Sequence, residues 1–165
     1  MTLTEAAERA DALAVAGDER GLATLRAEWD DELEAAARDR DYRVRAQAYR
    51  AIAQFRFRQK LELLRRGLQD ESPAARGSAL IALEGLSKRN PGDVNSMRSL
   101  LHELAARDPN VAVRRLAIIC LKNGSPRPDT IQLLRGLADS DDEDREVRKT
   151  ARVVAAALKK TADTR

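Results

Sequence analysis

Four stretches of this chain share one frame, and no other property of the sequence limits the fold as much. Asp108 to Leu121 reads DPNVAVRRLAIICL; the others are DRDYRVRAQAYRAI from Asp39, DESPAARGSALIAL from Asp70 and DEDREVRKTARVVA from Asp142. In each, the Asp stands five residues before an apolar or small position (Val44, Ala75, Val113, Val147). An Arg follows at once (Arg45, Arg76, Arg114, Arg148), and an Ala comes three residues after it (Ala48, Ala79, Ala117, Ala151). Recurrence at fixed spacing marks an internal repeat, whose copies bury their apolar faces by stacking on one another.

Each copy has the grammar of a helix start. The Asp is expected at the N-cap, where its carboxylate accepts from free backbone N–H groups and meets the positive end of the helix dipole. Pro73 and Pro109 lie early in the next element, where a missing N–H costs nothing. The apolar position, the Ala and the residue four further on (Ile52, Leu83, Leu121, Ala155) are spaced i, i+4, i+8 and form one stripe. The Ala admits a close neighbour. The Arg lies about 100° around the helix from the apolar position, within reach of the Asp of an adjacent repeat. The pairs Asp39, Arg45, Asp70, Arg76, Asp108, Arg114, Asp142 and Arg148 are therefore read as a structural ladder of charge-assisted bonds. The plainer alternative for any one Arg is a solvated surface charge.

A helical hairpin whose second helix opens with Asp, a turn, Val-Arg and then Ala resembles a HEAT-type, armadillo-like repeat. The likeness extends to the variant found in phycobilin lyases and many bacterial adaptor proteins, and covers roughly residues 20–160. It implies an all-α fold, a right-handed α-solenoid of about four hairpins. First helices would lie on the convex side and second helices on the concave side. The expected organisation is one domain over 1–165, with a capping helix at 1–17 and repeats at approximately 18–57, 58–88, 93–122 and 129–160.

Along the chain, residues 3–15 are predicted to form the cap, with Leu3, Ala6, Ala10 and Leu13 on one side and Gly17 as its stop. Helix 19–37 carries the stripe Leu22, Leu25, Trp29 and Leu33, with Trp29 expected in packing rather than in base stacking. Helices are predicted over 42–57, 61–68, 73–87, 94–106, 109–122, 129–138 and 144–160. RNPGD at 89–93 and NGSPRPD at 123–129 read as breaks, and the residues from Lys160 onward as frayed.

Aromatic residues make up only 3% of the chain, so the core falls to Leu, Ala, Ile and Val. No apolar run reaches membrane-span length, and MTLTEAAERADAL has neither the basic start nor the apolar stretch of a secretory signal. The single cysteine, Cys120, sits among Ile118, Ile119 and Leu121 and reads as a buried thiol. A cytoplasmic protein is the expectation. Charge is unevenly spread: residues 1–41 hold 12 acidic and 5 basic side chains, whereas 42–68 hold 8 basic and 1 acidic. Either the two segments neutralise each other, or Arg43, Arg50, Arg56, Arg58, Lys60, Arg65 and Arg66 form a basic face.

Catalytic constellations are missing from the sequence. The sole histidine, His102, has no evident partner and falls between Leu101 and Leu104; one His and one Cys cannot build a structural zinc site. The acidic run of Asp139, Asp141, Asp142, Glu143 and Asp144 lacks the Gly and terminal Glu of a calcium loop. No enzyme activity, cofactor, metal or membrane is expected. The surface expected to work lies six residues after each apolar position, roughly opposite the stripe: Arg50, Ile81, Ile119 and Val153. Bordering it are Arg115, Lys149, Glu84 and Lys122. The leading reading is a non-enzymatic adaptor or scaffold that holds a protein or peptide in this concave groove. The alternative is nucleic-acid binding, suggested by the basic segment and by a resemblance to HEAT-like alkylpurine DNA glycosylases, whose catalytic residues find no match here. A tetrapyrrole chaperone is a third possibility, implied only by the lyase-like variant.

Overall fold

The computed structural model describes residues 1–165. The chain is all-α, with ten α-helices, one short 3-10 turn and no strand. It divides into two compact units, Met1–Leu86 and Ser87–Arg165.

The first unit contains α1 (Leu3–Val15), α2 (Glu19–Ala36), α3 (Tyr42–Gln54), the 3-10 turn Arg58–Lys60, α4 (Leu61–Gly67) and nearly all of α5 (Pro73–Ser87). Thr2 and Glu5 close a reciprocal capping box that starts α1. Gly17 ends it at φ 75°, a left-handed conformation that glycine adopts without strain. α1 packs on α2 and α3 through Ala6, Ala7 and Ala10, while Leu3 and Leu13 are only half-buried. The predicted stripe of α2 is buried throughout: Leu22, Leu25, Trp29 and Leu33. α4 meets α5 closely, because a Cβ on Gly67 would stand 2.8 Å from the Ala79 methyl.

α3 stops at Gln54, three residues short of the predicted 57. Arg56 turns left-handed at φ 51°, and Phe57 N–H bonds back to the Ile52 carbonyl at 2.9 Å. Phe55 and Phe57 are thereby buried at the bend. Burial of two aromatic rings, each worth about 2 kcal/mol or more, outweighs the cost of placing an arginine where glycine is favoured.

The second unit contains α6 (Pro91–Asn95), α7 (Arg98–Arg107), α8 (Val111–Leu121), α9 (Pro128–Asp139) and α10 (Arg145–Asp163). α7 packs on α8, α9 on α10 and α8 on α10, the hairpin-on-hairpin arrangement of an α-solenoid. The predicted break at RNPGD is a correction: Pro91 starts α6 instead of interrupting the chain, since its fixed φ suits a first helical turn. Pro128 likewise opens α9. α10 runs past Lys160 to Asp163, held by a Lys159–Asp163 pair at 3.1 Å and by Thr161 Oγ1 donating to the Ala157 carbonyl.

The stripe predicted from the frame is the core of both units. Ala48 and Ile52, Ala75, Ala79 and Leu83, Val113, Ala117 and Leu121, and Val147, Ala151 and Ala155 are all buried; Val44 alone is half-exposed.

Candidate binding surface

The recurrent Asp does not cap the helix that follows. The caps are Asp41, Asn110 and Asp144, two residues further on. Asp39, Asp70 and Asp108 instead accept the N–H of the residue two ahead, Asp41, Ser72 and Asn110, at 2.8–2.9 Å. Such an Asx turn bends the chain before the helix begins, and the next polar residue does the capping. The recurrent Arg closes the same turn from the helix side. Arg45 Nη1 donates to the Asp39 carbonyl at 2.9 Å, Arg76 Nη1 to that of Asp70 at 2.8 Å, and Arg114 Nη1 to that of Asp108 at 2.8 Å.

Pairing between repeats is less regular than the expected ladder. In the first unit Arg45 reaches Asp70 with two bonds of 2.8 Å, and the Tyr49 hydroxyl donates to the same carboxylate at 3.2 Å. Burial pushes the Asp70 carboxyl up; the bonds from Arg45, the Ser72 N–H and Tyr49 more than reverse this and hold it below the ordinary carboxylate range. Burial and the Asp70 charge raise the Tyr49 phenol. In the second unit Arg114 pairs with Glu143 at 2.8 Å, not with Asp142. Arg148 meets Asp141 at 3.6 Å, in the turn before its own helix. Asp142 is exposed, so the rung assigned to it belongs to its neighbours: in the five-residue loop 140–144 Glu143, with its longer side chain, reaches inward.

Sequence reading missed Arg26. Its Nε donates to the Phe55 carbonyl at 2.7 Å and its Nη2 to that of Arg56 at 3.0 Å, so a cation closes the negative end of α3. The only signal would have been an arginine on the flank of the Leu22–Trp29 stripe, which looks like any solvated charge.

The basic segment is largely matched. Lys60 binds Asp30 at 2.5 Å and Glu34 at 2.8 Å, Arg56 binds Asp11 at 2.8 Å, Arg43 binds Asp41 at 3.1 Å and Arg65 binds Glu62 at 3.2 Å. The hydrogen bond from Lys60 holds Glu34 below its ordinary value. Residues of α1 and α2 thus supply counter-charges to two of the seven cations, the contact that mutual neutralisation requires.

The positions six after the apolar site can be followed in each unit. In the first, Arg50 is exposed, Ile81 is 46% exposed and Glu84 is half-buried. In the second, Val153 is 61% exposed, whereas Ile119 on α8 is half-buried. Lys122 and Lys149 are exposed, and Arg115 Nε donates to Thr150 Oγ1 at 3.1 Å across α8 and α10. Trp29 and Cys120 are buried, as packing residues should be. His102 is partly buried and shares a 2.8 Å bond with Thr130 Oγ1; burial, more than any neighbour, lowers its pKa. No helix is long and apolar enough to cross a membrane.

The family described as HEAT repeats matches residues 31–103 and 98–164. No curated protein matches the chain.

Proposed function

Because the chain belongs to the HEAT repeat family, we propose that it is a non-enzymatic protein-binding module, an adaptor or scaffold in which each compact unit offers a partner helix or peptide the outward face of its own second helices. One observation carries the reading. At the same repeat position, α5 exposes Ile81 and α10 exposes Val153, while the position six residues earlier is fully buried in both (Ala75, Val147). Large aliphatics left about half in water at a position set by the repeat keep apolar surface that a partner can cover. Partner helices are recognised through apolar anchors of this kind, bordered by charges that fix orientation. In the first unit Arg50 stands at the same position of α3; in the second, Arg115 and Lys122 border that position on α8 and Lys149 borders it on α10. The lone, fully buried Cys120 suits a reducing cytoplasm.

Nucleic-acid binding gains less from the basic segment than its charge count suggests, because Lys60 and Arg56 are already paired with carboxylates. The test of the adaptor reading is capture from the native host with wild-type protein, Ile81→Asp and Val153→Asp, each checked for unchanged helicity. Loss of one captured protein in a variant that keeps its helices supports the surface. Capture unaltered in both rejects it.

A further inference from the structure

In the second unit, α6, α7, the 122–127 loop and the start of α9 border an open cleft of about 400 Å³ lined by Asn95, Arg98, Ser99, Ser125, Arg127 and Asp129. Its side chains are set by local bonds. Asn95 Nδ2 donates to Ser125 Oγ at 2.9 Å, and Ser125 N–H returns a 2.9 Å bond to Asn95 Oδ1. This reciprocal clip ties α6 to the loop. Gly124 makes it possible, since a Cβ there would stand 2.7 Å from Val94 Cγ1. Arg98 is anchored on the same clip, its Nη2 donating to Asn95 Oδ1 and, at 3.4 Å, to the Ser125 carbonyl.

The charges in this cleft do not balance. Arg98 bonds only to neutral acceptors, and its buried Nε–H has no partner. The one carboxylate lining the cleft, Asp129, sits against Arg127 and not Arg98: Arg127 Nε lies 3.5 Å from Oδ1, which also accepts the Thr130 N–H at 3.0 Å, so Arg98 keeps no carboxylate of its own. Burial and then the Arg127 charge lower the pKa of Arg98, and Asp129 only partly offsets them, so two guanidiniums act on each other here. His102, joined to Thr130, adds no negative charge. Two cations and one carboxylate leave a net positive cleft. Guanidiniums approaching from two elements suit an acceptor with oxygens on several sides.

We propose that this cleft binds a phosphate group, held between Arg98 and Arg127 with Ser99 as a further donor. A tetrahedral oxyanion offers acceptors to both guanidiniums at once and supplies the missing negative charge; a planar carboxylate offers two oxygens in one plane. The cleft has room for the group a phosphate esterifies as well as for the ion.

The experiment is a titration of the whole chain by backbone amide NMR, at constant ionic strength, with inorganic phosphate, phosphoserine and acetate. Saturable shifts with phosphate or phosphoserine, centred on 95–99 and 124–130, support the site. Saturation by both marks the phosphate group itself as the ligand, whereas saturation by phosphoserine alone marks a phosphate ester. Arg127→Gln, at a well-exposed side chain, should weaken binding about tenfold, the loss expected for one charge-assisted contact. Arg98→Gln should abolish it, and where that variant is unstable the Arg127→Gln result decides. Non-saturating shifts, shifts spread over the surface, equal response to acetate, or unchanged affinity in Arg127→Gln would each overturn the proposal.

Discussion

Arg45 holds Asp70 through two parallel bonds, Nε to Oδ2 and Nη2 to Oδ1, each 2.8 Å, with side chains only 11% and 5% exposed. The pair spans from the start of α3 to the turn before α5 and is the best-formed inter-repeat link in the first unit. Tyr49 completes the site on the carboxylate, and Arg45 Nη1 spends its remaining donors on the carbonyls of Asp39 and Arg40. One arginine therefore closes its own turn and clamps the next.

Removing one member should be far worse than removing both. Arg45→Ala leaves a buried carboxylate unmatched and should cost about 3–5 kcal/mol. The pair Arg45→Met with Asp70→Leu should cost much less than the sum of its single changes, and denaturant unfolding of the cycle measures the difference. The sign with pH follows from the lowered Asp70 pKa. Its stabilising share is complete above the unfolded value of about 3.9 and is lost as pH falls through the lower folded value. Wild type should thus lose stability in acid more steeply than Asp70→Asn. Parallel acid profiles would show that the pair contributes no such linkage.

Arg26 offers a different kind of test. It closes the end of α3 with a 2.7 Å bond to the Phe55 carbonyl and a second to Arg56, where the backbone turns left-handed. Arg26→Gln keeps much of the stem but loses the charge and the fork. The expected loss is about 1.5–3 kcal/mol, the range for bonds to a charged donor. Exchange of the Arg56 and Phe57 amides should speed up before that of α2. Unchanged protection at the bend would remove Arg26 from this role.

How far the sequence could be read follows from which side chains repeat. The stripe of Ala79, Ala117 and Ala151 was legible because burial between helices selects small residues at one spacing. Gly17 and Arg56 make the contrast. Both end a helix in a left-handed turn, with the N–H of the next residue bonded to a carbonyl five back: Asp18 to Leu13, Phe57 to Ile52. Glycine announces that geometry, whereas arginine hides it, because there the turn is stabilised by Phe55, Phe57 and Arg26 from elsewhere in the chain. Side-chain reach was likewise invisible. Asp142 keeps the repeat register but Glu143 makes the bond to Arg114, since one extra methylene lets it span the gap. The Arg98 cleft joins residues about 30 apart, and no local pattern marks such a meeting.

Val153 and Val154 are neighbours with opposite environments, 61% and 3% exposed on α10. That difference separates the binding face from the core with one methodical pair of changes. Val154→Ala removes methyls packed inside the second unit and should cost about 1–2 kcal/mol. Val153→Ala deletes the same atoms from a solvated face and should stay within about 0.5 kcal/mol, helped slightly by the better helix propensity of alanine. Thermal or urea unfolding of the two variants gives both numbers. Should Val153→Ala prove as costly as Val154→Ala, that side chain is serving the fold, and its exposure no longer argues for a partner. Should it prove neutral, its presence at a repeat-defined surface position is unexplained by stability, which is the condition a binding residue must meet.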